Sequence, residues 1–219
     1  MYLLDPNEKL ELIIKKSWEL FISQYVCGRI IVTKEAPFQH NFANIIKQMG
    51  ELHCFSRNDQ FFVDLEEKES DILGKNKYID IVCSLSIGGE KTSKAAIELK
   101  FKKKSQGADD EARIDAYVDI QSLEHCLDKD YELAYFFMIT DNPAYTKASM
   151  KIDSTASQFS IRDNFNTPIN IELLPKLKSR SSVRIYLRRQ HVLKWEKNED
   201  SYFLMVPIHK ADKQELELR

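Results

Sequence analysis

The hydrophobic and polar positions of the chain follow two periods, one typical of helices and one typical of strands. In residues 5–26 apolar side chains recur three and four positions apart, Asp5 is placed to cap the segment, and Pro6 suits its first helical position. The same spacing recurs after Pro37, where we expect Gly50 to end the helix, and again in "ARIDAYVDIQSLEHCL". The pattern therefore predicts three helices.

Extended segments lie between and after these helices. "YIDIVCSLSI" and "KAAIELKF" flank the turn "GGEKTS", which predicts a β-hairpin, and "ELAYFFMIT" is a continuous apolar run typical of a central strand covered on both faces. We interpret "EEKESDILGKNK" as a polar loop, "NPAYTKASM" as the start of another helix, and "VRIYLRRQHVLKW" with "SYFLMVPI" as a late pair of strands. This mixture of elements predicts an α/β protein.

Length and composition limit the class of protein. A chain of 219 residues, 43% of them hydrophobic, fits a single domain, 1–219. We place its core at about residues 35–150, with the helix at 5–26 and the strand pair at 183–208 as extensions. No apolar run approaches the roughly 18 residues that cross a bilayer, and the N-terminus lacks the pattern of a signal peptide. Four widely spaced cysteines without a CxxC pair fit reduced thiols, so we expect a cytoplasmic protein with no membrane partner.

The charges of the chain are segregated although its net charge is only −2. Acidic residues gather in "DLEEKESD" and "GADDEARIDAYVD", and basic residues gather in "KFKKK" and "KLKSRSSVRIYLRRQ". Segregation lets a nearly neutral protein present one basic face to a polyanion. The alternative for each run is an ordinary solvated surface.

Charged residues also stand inside the two strands of the predicted hairpin. Asp80 lies in "YIDIV", whereas Glu98 and Lys100 lie two residues apart in "IELKF" and so project from the same face of their strand. A cross-strand position can bring Asp80 beside Glu98. Charges in an apolar sheet cost roughly several kcal/mol each unless they are paired.

A divalent cation between the two carboxylates would satisfy this arrangement. Hard oxygen ligands suit Mg²⁺, which activates water and neutralises the charge that builds on a phosphodiester. The alternative is an ordinary exposed ion pair, because Glu66 and Lys68 show the same Glu-x-Lys spacing in a segment that we interpret as a loop.

These residues resemble the active-site motif of the PD-(D/E)XK nuclease superfamily, the fold of many restriction endonucleases. "IDIV" matches the Asp of the second core strand, and "IELK" matches the Glu-x-Lys of the third. The resemblance covers about residues 35–150, its motif is short, and the proline that names it is absent, since Ile79 precedes Asp80. It implies an α/β restriction-endonuclease-like core, in which a mixed β-sheet is flanked by helices.

The resemblance also implies roles for individual residues. Asp80 and Glu98 would hold Mg²⁺, for which Mn²⁺ can substitute, with the Leu99 carbonyl as a third ligand. Lys100 would position or help deprotonate the attacking water and stabilise the pentacovalent phosphate. Many members add an acidic residue from an early helix, and Glu35 is our candidate. The alternative for Glu35 is a glutamate that complements the dipole at a helix N-terminus.

Three further residues are candidates for supporting roles. Gln39 lies one helical turn after Glu35. On the third helix, Asp119 or Arg113 is placed to orient Lys100 or to contact a phosphate. The alternative for the third helix is a polar outer stripe with local salt bridges.

Two basic segments are candidates for contacts with DNA. Lys102, Lys103 and Lys104 follow the motif strand directly, where a scissile phosphate would approach. Arg184 and Arg188 alternate with a tyrosine on one face of a predicted strand, from which they can follow a backbone or reach base edges. The alternative for this strand is a solvated edge that its cationic residues protect from aggregation.

The sequence therefore predicts a Mg²⁺-dependent DNA endonuclease of the restriction type, a phosphodiester hydrolase. Analogy with such enzymes adds the expectation of a homodimer. Two alternatives stay open. One is a repair or junction-resolving nuclease of the same fold, and the other is a non-catalytic module that binds DNA or protein.

Overall fold

The computed structural model describes residues 5–89 and 91–210. Within these ranges the helices are α1 (Pro6–Val26), α2 (Glu35–Leu52), α3 (Asp109–Cys126) and the single turn α4 (Thr155–Gln158). The strands are β1 (Gln60–Ile72), β2 (Lys75–Ile87), β3 (Lys91–Lys102), β4 (Leu133–Thr140), β5 (Phe165–Asn166), β6 (Glu172–Leu173), β7 (Ile185–Tyr186), β8 (Val192–Leu193), β9 (Trp195–Asn198) and β10 (Ser201–Ile208). No helix of the described ranges has the length and apolar character needed to span a membrane.

Six strands form one mixed sheet in the order β1-β2-β3-β4-β10-β9, with helices flanking it, so the predicted α/β class is confirmed. All eight residues of β4 are buried, as predicted for a central strand with both faces covered. The remaining strands form two small pairs, β5 with β8 and β6 with β7.

The chain divides into two compact units. The first unit consists of the described residues up to Leu99 together with Cys126–Ala134, and it contains α1, α2 and the hairpin of β1 and β2. The second unit consists of Lys100–His125 and the described residues from Tyr135 onward, and it contains nearly all of α3 and the strands β5 to β10.

Helix α1 begins at Pro6, as predicted from the sequence. The Asp5 carboxylate accepts backbone N–H groups of the first turn, and Glu8 Oε2 accepts the Asp5 N–H at 3.3 Å, which forms a capping box. The apolar face of α1 packs against α2 through aromatic rings, with the ring centroids of Phe21 and Phe38 5.1 Å apart. This aromatic contact buries the face of α1 that the sequence pattern predicts.

The prediction that Gly50 ends α2 is wrong, because α2 continues to Leu52. Gly50 is buried within the helix, and the Phe61 ring lies so close that a methyl group on Gly50 would overlap it. The glycine therefore allows close packing between α2 and β1 and does not terminate the helix.

The segment interpreted as a polar loop instead belongs to a long hairpin. β1 pairs with β2 from Gln60↔Ser86 to Ile72↔Lys75, and both residues of the tight turn lie in the left-handed region of φ. The prediction failed because β1 is an edge strand, where charged side chains reach water and the alternation typical of a half-buried strand is absent. The predicted hairpin of β2 and β3 is confirmed.

The helix predicted at "NPAYTKASM" is absent, and this segment forms consecutive turns. Asn142 Oδ1 accepts the Ala144 N–H at 3.0 Å, and the Asn142 carbonyl accepts the Tyr145 N–H at 3.2 Å. An asparagine that captures nearby backbone groups, followed directly by proline, favours a turn over a helix.

The predicted late pair of strands is only half correct. "SYFLMVPI" forms β10, but its antiparallel partner is β9, and the segment before β9 contributes the two-residue strands β7 and β8. The carboxylate of Glu124 accepts the backbone N–H groups of Arg188 and Arg189 at 2.9 and 3.0 Å. These donors are therefore not available for a ladder, and the long strand is interrupted there.

Candidate active site

Asp80 stands at the point where the ladder between β2 and β3 ends. The last pair of that ladder is Ile81↔Ile97, whereas the ladder between β1 and β2 continues to Lys75. Asp80 directly precedes Ile81 in β2 and so lies just beyond the end of the ladder. Its Oδ2 accepts the N–H of Leu99 at 2.7 Å. A carboxylate thus takes the place of a ladder carbonyl, and it ties the Asp80 side chain to the residue after Glu98.

Helix α2 supports the main chain at Asp80. Gln39 Nε2 donates to the Asp80 carbonyl at 2.7 Å and lies 2.9 Å from Glu66 Oε1, while Glu66 has a φ of 54°. Gln39 is thereby brought to the Asp80 backbone, as its candidate supporting role requires. Glu35 is the first residue of α2, exposed and one turn before Gln39, so it lies on the same side of the helix.

Glu98 is buried, and a lysine that the sequence did not single out lies against it. The side chain of Glu98 is 5% exposed, and its Oε1 is 3.1 Å from Lys77 Nζ. The thiol of Cys126 lies in the same surroundings: burial, together with the charges of Glu98 and Glu69, raises its pKa to about 12. Lys77 escaped prediction because it follows the turn of a segment that we interpreted as a loop.

Lys100 lies two residues after Glu98 on β3, and its amine meets a carboxylate of α3. Lys100 Nζ is 3.5 Å from Asp119 Oδ2, and both side chains are largely buried. One turn earlier on α3, Asp115 forms an ion pair with Arg180 at 2.8 Å. Burial raises the pKa of Asp115, and the charges of Arg180 and Lys100 oppose that rise. Within the second unit, therefore, two carboxylates of α3 hold two cations.

Arg113 points in a different direction from Asp119, because six residues of an α-helix separate them. Its guanidinium is buried, donates to the Ala144 carbonyl at 2.6 Å and lies 4.7 Å from the centroid of the Tyr145 ring. Burial lowers the pKa of Arg113. Arg113 thus anchors the turn after β4, and the structure does not bring it to Lys100.

The three consecutive lysines after the motif strand occupy its end and a short 3₁₀ turn. Lys102 ends β3, and Lys104 is exposed and donates its backbone N–H to Asp141 at 2.6 Å. Lys103 Nζ lies 5.9 Å from the centroid of the Phe101 ring. The backbone of this segment is held in place at Lys104, the exposed member of the three, while Lys102 and Lys103 are half-buried.

The arginines of the second basic segment do not share a strand face. Arg184 is exposed and donates to the carbonyls of Ser181 and Val183 at 2.9 and 3.1 Å. Arg188 lies beyond β7, which is only two residues long, and its Nε is 3.7 Å from Glu124 Oε2. The expected alternation on one strand is wrong, because the strand ends before Arg188 and a buried carboxylate holds that residue.

The donor set at the end of the β2–β3 ladder fits a hard divalent cation. Asp80 and Glu98 carry carboxylate oxygens, and Leu99, the residue after Glu98, is bound to Asp80 through its N–H. In the described part of the chain, no group of three or more His, Cys, Asp or Glu side chains is arranged to hold a metal ion. A two-carboxylate site suits Mg²⁺, which keeps several of its waters, better than it suits a metal that needs a full cage of side chains.

Comparison with known proteins found no match to any protein-family model, to any curated protein or to any solved structure. The function is therefore inferred from the residues and the geometry described above.

Proposed function

We propose that this protein is a Mg²⁺-dependent DNA endonuclease with a restriction-endonuclease-like core. The observation that carries the proposal is the hydrogen bond from the Leu99 N–H to Asp80 Oδ2 at 2.7 Å, where the β2–β3 ladder ends. This bond places one carboxylate beside the backbone of the Glu-Leu-Lys motif. Two carboxylates at the end of a hairpin ladder, followed by a lysine on the same strand face, match the needs of phosphodiester hydrolysis.

Asp80, Glu98 and the Leu99 carbonyl would hold the cation. When bound, Mg²⁺ lowers the pKa of water and offsets the negative charge of the transition state. The protein contributes orientation. The Leu99 N–H donates to the Asp80 carboxylate, and the Gln39 side chain donates to the Asp80 main-chain carbonyl. Rigid support of this kind is what a catalytic group needs to remain in the productive geometry.

Lys100 would stabilise charge on the phosphate. Asp119 Oδ2 lies 3.5 Å from Lys100 Nζ, so this carboxylate orients the lysine side chain. We assign Lys100 to positioning the attacking water and stabilising the pentacovalent phosphate, with Asp119 as its positioning residue.

DNA is the proposed substrate because cations cluster where the motif strand ends. Lys102, Lys103 and Lys104 continue directly from the motif strand. Such residues pair with phosphates without reading sequence, and they make binding dependent on salt. The restriction type and a homodimer remain part of this proposal by analogy with the resembled superfamily.

The experiment is cleavage of supercoiled plasmid with Mg²⁺ or Mn²⁺, together with thermal melts. Asp80→Asn keeps an oxygen that can accept the Leu99 N–H, so we expect a folded variant that does not cleave and whose melting temperature does not respond to the metal. Asp64→Asn, at an exposed position of β1, is the matched control and should cleave like the wild type.

The products separate the related alternatives. Defined fragments favour a restriction-type enzyme, whereas nicking that depends on DNA structure favours a repair or junction-resolving nuclease. A wild-type protein that neither cleaves nor responds to metal, with Asp80→Asn strongly destabilised, would make Asp80 a structural residue and leave a non-catalytic binding module.

A further inference from the structure

The side chains of Lys77 and Glu98 form a close ion pair within the first unit. Lys77 Nζ lies 3.1 Å from Glu98 Oε1, and the two side chains are 20% and 5% exposed. The carboxylate is thus nearly shielded from water, while the lysine retains a path to solvent. Glu98 is also one of the two proposed carboxylate ligands of the cation.

This pair does not arise from strand pairing. The β2–β3 ladder ends at Ile81↔Ile97, and Lys77 lies four residues further along β2, where it pairs with Glu69 of β1. Glu98 lies one residue beyond the same pair on β3, so Lys77 and Glu98 are offset along the strands by about three residues, or roughly 10 Å. The contact is therefore made by a long flexible side chain that leans towards Glu98, and not by two neighbouring residues of a ladder.

The surroundings of the pair strengthen its electrostatics. Cys126 and Glu98 are buried, and the charges of Glu98, Glu69, Lys77 and Lys129 all act on the Cys126 thiol, so the pair lies beside a poorly hydrated part of the first unit. Charges interact much more strongly in such a region than in bulk water. This holds for the attraction between Lys77 and Glu98, and equally for the repulsion between Lys77 and any second cation.

We propose that Lys77 is the resident counter-ion of Glu98 and that it competes with a divalent cation for that carboxylate, an inference that rests on the proposed function. A cation that reaches Glu98 meets the positive charge of Lys77, so the lysine lowers the metal affinity of the DNA-free protein. For a divalent cation to bind Glu98, the Lys77 ammonium must turn away from it. The Lys77 side chain is 20% exposed, so it can turn towards solvent.

The test is Mn²⁺ binding in the absence of DNA, measured from the decrease in the electron paramagnetic resonance signal of free Mn²⁺. Lys77→Met removes the charge and keeps an extended side chain, so we expect Mn²⁺ to bind on the order of tenfold more tightly than to the wild type. The metal-free variant should melt at a lower temperature because Glu98 loses this counter-ion, and Mn²⁺ should raise its melting temperature more than that of the wild type.

Two further variants keep the test decisive. Lys77→Gln is neutral but has an N–H that can reach Glu98 Oε1. It should also bind Mn²⁺ more tightly than the wild type, and it replaces Lys77→Met if that variant does not fold. Lys94→Met is the matched control: Lys94 is also 20% exposed in its side chain and lies 3.0 Å from a glutamate, Glu67. Its loss should lower the melting temperature without tightening Mn²⁺ binding.

The outcomes distinguish this inference from the proposed function. If the wild type binds Mn²⁺, Asp80→Asn abolishes that binding and neither Lys77 variant binds more tightly, Lys77 is not a competitor while the nuclease proposal stands. If the wild type and both Lys77 variants fail to bind Mn²⁺, the metal site itself is wrong and both proposals fall.

Discussion

Among the residues that the structure describes, two glutamates, Glu98 and Glu124, are almost wholly buried, and they are held in different ways. Glu124 is 0% exposed, and its carboxylate accepts the backbone N–H groups of Arg188 and Arg189 and lies 2.8 Å from His191 Nε2. Glu98 is 4% exposed, and its Oε1 lies against the terminal ammonium of Lys77. Glu124 accepts hydrogen bonds from the main chain and lies against a buried ring, with the Arg188 side chain 3.7 Å away, whereas the ammonium at Glu98 ends a flexible side chain.

The difference separates a structural carboxylate from one that is able to exchange its partner. Main-chain donors leave Glu124 only if the segment that carries them unfolds. A lysine ammonium leaves Glu98 by rotation of its own side chain, without unfolding of a main-chain segment. Asp80 combines features of both glutamates. A main-chain donor, the Leu99 N–H, binds one oxygen of its carboxylate, which we assign to metal binding.

The largest expected effect is the loss of stability in Glu124→Gln. Each oxygen of the Glu124 carboxylate accepts one backbone N–H, so an amide must present its N–H₂ group to one of these buried donors, which then lacks an acceptor. We expect the free energy of unfolding to fall by about 3 kcal/mol, as measured by urea denaturation.

Glu19→Gln is the control for that measurement. Glu19 is 62% exposed in its side chain and pairs with Lys16 on the surface of α1, so its replacement should change stability by less than about 0.5 kcal/mol. A similar loss of stability in the two variants would mean that the main-chain contacts of Glu124 are of little energetic value.

Asp119→Asn probes a carboxylate held by the amine of Lys100. We expect the variant to fold and its cleavage rate to fall about tenfold, equivalent to about 1.4 kcal/mol, because Lys100 loses the charge that orients it. Asp119→Glu should restore part of the rate. An equal loss of rate in Asp119→Glu would assign Asp119 a purely structural role.

Glu98→Gln should affect stability far less than Glu124→Gln. Replacing a buried charge by a neutral side chain of the same shape relieves its desolvation, and Lys77 keeps access to water. We expect the free energy of unfolding to change by no more than about 1 kcal/mol, while plasmid cleavage is abolished. Equal destabilisation by Glu98→Gln and Glu124→Gln in the same urea measurement would remove the distinction between the two sites.

The smallest expected effect concerns the pH dependence of stability at Asp115, which Arg180 holds. Burial raises the pKa of Asp115 above its ordinary value of 3.8, so the folded state retains this proton where the unfolded chain has lost it. The contribution to stability is present below that ordinary value and is lost as the pH rises through the folded pKa.

Asp115→Asn should therefore flatten the decrease in stability over this window, by under about 1 kcal/mol because the side chain is partly exposed. Urea denaturation at several pH values from about 4 upwards measures it. A decrease of equal size in the wild type and the variant would exclude Asp115 as its source.

The hairpin that carries the candidate motif could be predicted because local pattern determines it. Apolar runs on both sides of a glycine turn specify β2 and β3, and the spacing of two residues puts Glu98 and Lys100 on one strand face. The position of Asp80 in the neighbouring strand follows from the same register. Period and turn chemistry act over a few residues, and a sequence shows both directly.

The supporting contacts were harder to predict, since they depend on where strands stop pairing. Lys77 reaches Glu98 only because the β2–β3 ladder ends before it, and Gln39 contacts a backbone carbonyl, for which no sequence pattern exists. Gly50 was mistaken for a helix end because its partner, the Phe61 ring, comes from a different element. Contacts of this kind are tertiary and leave no local trace.

The acidic edge strand has a consequence for how other molecules approach the sheet. β1 lies at one end of the strand order, and its sequence "QFFVDLEEKESDI" carries five acidic residues and one lysine. An incoming polyanion is repelled from this edge, and a second copy of the chain that docked there strand to strand would face the same run of like charges. The edge therefore repels polyanions and disfavours growth of the sheet into an aggregate.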